Sequence, residues 1–145
     1  MLAKARLHTE RDEFDKAVAS LEAALANQAA GGEQKAEALF TIGDIRMRQN
    51  DPKRAIPYFQ RLYVMHSRWR PWVAKAYLRS GEAFEQLDDS TSARRTYQEL
   101  LDNPDLADFP ETADARTRLE ALGGPLPSLE QDPTNENTPA EEIEG

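Results

Sequence analysis

The fold class predicted by this sequence is an all-α solenoid of three helix pairs with a C-terminal capping helix, and three observations predict it. The chain repeats: shifted by 38 positions, Ala5 falls on Gly43 and Gly81, Ala17 on Ala55 and Ala93, Leu21 on Phe59 and Tyr97, and Ala24 on Leu62 and Leu100. Within each unit the alanine and the large apolar residue are four apart, the spacing of neighbours on one helix face. No segment alternates polar and apolar residues with the period of two that a half-buried strand requires.

The elements follow in order. Helices are expected at about residues 2–10, 13–28, 33–49, 52–66, 71–87, 90–102 and 110–122. Asp51-Pro52 reads as an N-cap followed by proline at the first helical position, and Asp89, one period later, reads as an N-cap alone. Glu13 is the weaker equivalent in the first unit. Turns are marked by "NQAAGGE", "HSRWRP" and "NPDLADFP". The last helix, "PETADARTRLEAL", is short, carries Glu111, Asp114 and Arg118 on what is expected to be its outer side, and is stopped by Gly123-Gly124-Pro125; it reads as the cap of a stack. The domain is therefore placed at residues 1–124. Residues 125–145 hold four prolines and almost no large apolar groups, so an acidic, disordered tail is expected there. Residues 1–10 open without a good N-cap, which predicts a place in a longer array or a partner over that end.

Composition narrows the function classes. The 145 residues are 39% hydrophobic and 30% charged with a formal charge of −8, enough for one domain with a modest core. No apolar run approaches the ~20 residues that cross a bilayer, so membrane insertion is not expected. "MLAKARLHTERDEF" has no apolar core of the signal-peptide kind, and the chain carries no readable address. Without cysteine there is no disulfide, thiolate metal site or cysteine nucleophile. The charge is uneven. Between Pro52 and Gly81 lie seven basic residues and no acid, whereas after Gln131 five carboxylates have no basic neighbour. An acidic whole disfavours nucleic acid across the surface and leaves only the basic island as a candidate.

"ALFTIGDIRMRQNDPKRAIPYFQRL" and "AYLRSGEAFEQLDDSTSARRTYQEL" resemble the tetratricopeptide repeat, with its small residue in the first helix, alanine in the second and an aromatic four later. The resemblance covers residues 1 to about 122. The 38-residue period departs from the usual 34, and the longer units with aromatics and prolines in the connection are similar to bacterial envelope-type members. The resemblance implies a non-catalytic protein-interaction scaffold with a concave groove lined by the first helix of each pair. On this chain that face would present Leu2, Arg6 and Thr9, then Glu37, Phe40, Asp44, Met47 and Arg48, then Lys75, Leu78, Arg79, Glu82 and Glu85. Phe40, Met47 and Leu78 would seat an apolar side chain; Lys75 and Arg79, four apart, would hold a carboxylate. A chaperone-type carboxylate clamp does not fit, because Arg6 and Thr41 stand where its asparagines belong.

No catalytic constellation emerges. His8 and His66 are far apart in the sequence with no metal-binding spacing, and there is no phosphate-binding glycine motif or nucleophile elbow, so neither cofactor nor metal is expected. The remaining candidate is "HSRWRPW". Trp72 is expected to pack and Trp69 to cover the turn, while Arg68, Trp69 and Arg70 form an alternative partner-binding corner. Arginine beside tryptophan there, within a basic segment spanning residues 61–79, would suit an anion or nucleic acid.

Overall fold

The computed structural model describes residues 2–127, with side chains from residue 10 onward. The acidic tail expected after residue 125 lies, from residue 128, outside the described residues. Six α-helices follow one another: α1 (Leu2–Ala26), α2 (Gly32–Arg48), α3 (Pro52–Met65), α4 (Arg70–Gln86), α5 (Ser90–Asp102) and α6 (Pro110–Ala121), with a 3-10 turn at Pro104–Leu106 before the last. No strand occurs among the described residues. The helices pack in sequence, and α4 also touches α2 on one side and α6 on the other, so α2, α4 and α6 form one layer of a stack whose other layer is α1, α3 and α5.

Each pair is closed by the same local chemistry. At the end of α2, Asn50 turns left-handed at φ 58°; at the end of α4, Asp88 does so at φ 57°. Asn and Asp tolerate this region better than other non-glycine residues. The turn lets the Asp51 N–H reach the Arg46 carbonyl at 2.9 Å and the Asp89 N–H reach the Phe84 carbonyl at 3.0 Å, which satisfies helix-end carbonyls. The next residue then starts the following helix. Asp51 accepts from the Arg54 N–H at 3.2 Å and Asp89 from the Ser92 N–H at 3.1 Å, as expected of both N-caps.

The first unit departs from expectation. Where two helices were expected at 2–10 and 13–28, α1 is a single helix of 25 residues. The reason lies at the positions one period before those turns. Asp12-Glu13-Phe14 stands where the others have Asn50-Asp51-Pro52 and Asp88-Asp89-Ser90. Glu13 is a poor N-cap and a good helix former, and no glycine or proline interrupts the run. Two complete pairs, α2/α3 and α4/α5, therefore stand between α1 and the capping helix α6.

Packing within the pairs explains the small residues. A methyl group at Gly43 would lie 2.7 Å from Phe59 Cζ, and one at Gly81 would lie 2.7 Å from Tyr97 Cδ1. Both rings are fully buried, lying directly on the opposing backbone. Phe59, Leu62, Tyr97 and Leu100 join Leu39, Val73 and Leu119 in one core, and Val18, Ile42 and Ile45 form a smaller one under α1. The connection before α6 is tied down by buried Leu106, whose carbonyl accepts from Thr112 Oγ1 at 2.5 Å.

Gly81→Ala should lower stability by ~1–3 kcal/mol, because overpacking against Tyr97 outweighs the ~1 kcal/mol gained in helix propensity. Urea unfolding followed by circular dichroism measures this. An unchanged midpoint would mean that the ring and backbone are not in obligatory contact.

Candidate partner-binding face

The layer of α2, α4 and α6 presents the side chains expected to line a groove, and at its centre they are bound to one another. On α2, Asp44 pairs with Arg48 at 3.1 Å and accepts a hydrogen bond from Arg79 of α4. Arg79 also lies 3.7 Å from Glu82. Glu82 then meets Arg118 of α6 at 3.2 Å, and Arg118 meets Glu85 at 3.3 Å. Glu85 in turn accepts from the buried Tyr97 hydroxyl of α5. Three arginines and three carboxylates thus run as a self-neutralising ladder across three helices. Burial and the bond to Glu85 raise the Tyr97 pKa. Burial disfavours the Arg118 charge, but Glu82, Tyr97 and Glu85 more than offset it and raise that pKa.

The other expected residues divide. Met47 is 6% exposed and belongs to the core, so it is not open to a partner. Phe40 is half-buried, its ring 5.8 Å from Phe59 and 5.7 Å from Trp72. Leu78 is likewise half-buried against the core. Lys75 and Arg79 do not converge on a common anion. The Lys75 ammonium lies 4.9 Å from the centre of the Trp72 ring, while Arg79 is held by Asp44 and Glu82. Arg118, expected on the outer side of the cap, instead turns inward onto α4. No spacing within α6 signals that pairing; it appears only once α6 is laid beside Glu82 and Glu85.

The "SRWR" corner sits between the α3–α4 turn and the segment before α6. A cleft of about 580 Å³ is lined there by Trp69, Arg70, Tyr77, Asp105 and Phe109, among others. The Arg68 guanidinium lies 5.3 Å from the Trp69 ring centre, and Arg70 makes an exposed pair with Asp105 at 3.7 Å. Trp69 is half-buried, its indole covering the first turn of α2: a methyl group at Gly32 would come within 2.8 Å of Nε1. Trp72 packs on Phe40 as expected of a packing residue. His66, the C-cap of α3, has its pKa lowered from 6.5 first by burial and then by Arg61 and Lys35.

Two measurements follow from these contacts. Arg79→Ala should cost about 1–3 kcal/mol, since it removes the link between α2 and α4 and leaves the poorly exposed Asp44 and Glu82 with one partner each, Arg48 and Arg118; Arg54→Ala, which removes an exposed pair with Asp51, should cost under about 1 kcal/mol. Equal losses would mean that the ladder is no more than surface charge. For His66, the depressed folded-state pKa means that its contribution to stability is present above pH 6.5 and is lost as pH falls through the folded value. Its imidazole resonances should titrate below 6.5, and His66→Gln should flatten the stability profile between pH 7 and 5; titration at or above 6.5 would contradict the burial argument.

Among known proteins, a family model described as tetratricopeptide repeat matches the chain twice, over residues 2–70 and 40–108. No curated protein and no solved structure matches it. The double match spans well over half of the chain and both complete helix pairs, and the chain belongs to the tetratricopeptide repeat family.

Proposed function

We propose that the chain is a non-catalytic interaction scaffold that seats a peptide against α2 and α4, with an apolar side chain beside Phe40, Trp72 and Leu78 and a carboxylate toward Lys75. Tetratricopeptide repeats generally mediate protein–protein interaction, which supports the class of function. One observation carries the finer reading. On a face where Arg48, Arg79 and Arg118 are each held by carboxylates of the chain itself, Lys75 has no ion pair among the described residues and stands over an aromatic ring. A cation held against an indole is partly desolvated, so an incoming carboxylate meets a stronger field there than on a bare surface. The ladder beside it offers no net charge, so it supports the shape of the face and not its selectivity.

The alternative, an anion or nucleic acid at the basic segment 61–79, draws on Arg68 above Trp69. It is the weaker reading, because Arg70 is already engaged by Asp105.

Selection from a random peptide display library should enrich sequences with Asp or Glu next to an aliphatic or aromatic residue. By fluorescence anisotropy, Lys75→Glu should weaken the enriched peptides about tenfold or more, while Arg68→Glu leaves them unchanged. Phe40→Ala is a poor probe, since it also removes packing on Phe59. The reverse pattern, loss with Arg68→Glu alone, would move the site to the corner, and no enrichment at all would remove the peptide reading.

A further inference from the structure

We propose that α1 is the exchange element of a two-fold dimer, in which residues 2–10 of each copy cover the first repeat unit of the other. The observation behind this is a difference in burial at equivalent positions. Ala55, Phe59 and Leu62, and again Ala93, Tyr97 and Leu100, are all fully buried. Their counterparts one period earlier are less covered: Ala17 and Leu21, though packed at the edge of the smaller core, are half-buried and Ala24 is exposed. In the complete pairs these positions are covered by the first helix of the pair, through Gly43 and Gly81. The first unit has the matching segment, residues 2–10 with Ala5 in that register, and the family match begins at residue 2. Yet α1 runs straight through, so those residues cannot fold back over the same helix.

A second copy resolves the conflict by symmetry. The pairing of Gly43 with Phe59 and Gly81 with Tyr97, moved back one period, sets residue 5 opposite 21 and residue 2 opposite 24. The midpoint is residue 13, near the middle of α1. Two α1 helices laid antiparallel about a dyad at Glu13 therefore satisfy this register in both directions at once, as a self-complementary interface requires. Glu13, on the dyad, is the position that meets its own like charge. The exchange does not depend on what the α2/α4 face binds.

The test uses the full 145-residue chain, whose lack of cysteine permits clean thiol chemistry. Light scattering at tens of micromolar should give twice the 16.3 kDa of one chain. The double variant Leu2→Cys/Ala24→Cys, treated with a short bis-maleimide, should give covalent dimers on a denaturing gel. Within one straight helix the two thiols are ~33 Å apart and out of reach of each other. Introducing the turn chemistry of the other units, Asp12→Gly with Glu13→Asp, should convert the protein to a monomer in which the same thiols are linked within one chain. A monomeric parent, an intrachain link in the parent, a dimer without the 2–24 link, or a dimer unaffected by the turn variant would each overturn the exchange.

Discussion

The contact on which this stack depends is an aromatic ring laid directly on helix backbone, Phe59 on Gly43 and Tyr97 on Gly81. Glycine inside a helix is ordinarily a loss of about 1 kcal/mol against alanine. Here it admits a ring that fills the space between two axes and buries completely. Once the axes are that close, the alanines at 55 and 93 bury completely between them, and Leu62 and Leu100 complete the layer further along the same helices. The ladder of ion pairs depends on the same spacing. Tyr97, seated on Gly81, carries its hydroxyl to Glu85, and Glu85 is one of the two carboxylates that hold Arg118.

A second level of organisation is set by three-residue turns. Asn50-Asp51-Pro52 and Asp88-Asp89-Ser90 each combine a left-handed residue with an N-cap aspartate, and each reverses the chain. Asp12-Glu13-Phe14 lacks that combination and does not. One methylene is much of the difference between Asp and Glu as a cap: the longer side chain does not settle onto the N–H groups of the first turn and is at ease within a helix. Repeat identity along the chain is thus carried by core positions, while the choice between a hairpin and a rod is made by a few polar atoms at the turn.

This division explains what could be read from the sequence. The 38-residue register exposed the close contacts, the caps at Asp51 and Asp89 and the packing of Trp72, because each is a local or strictly periodic signal. The break expected near Glu13 was inferred from periodicity where the local chemistry argues for continuity, and the local chemistry prevails. On the face of α2 and α4, position in a repeat identified Asp44, Arg79 and Glu82 but not their mutual engagement, since pairing across helices depends on rotamers and on the neighbour's register. The same repeat position points Met47 to the groove, although its side chain is buried in the core. The pattern of α6 by itself points Arg118 to solvent; its partners are more than thirty residues earlier in the chain.

The ladder also gives the stack a direction. It bridges α2 to α4 and α4 to α6, but among the described side chains the junction of α1 with the rest is polar only through Tyr58, whose hydroxyl donates to Glu22 at 2.6 Å. Dehydrating charges becomes less costly as temperature rises, whereas apolar burial gains little more per unit area. Warming therefore favours the α2–α4–α6 junctions relative to the α1 junction. By the contacts within one copy alone, structure is lost first at the α1 end while the charged spine still holds, as a fraying edge and not as a collapse of the whole.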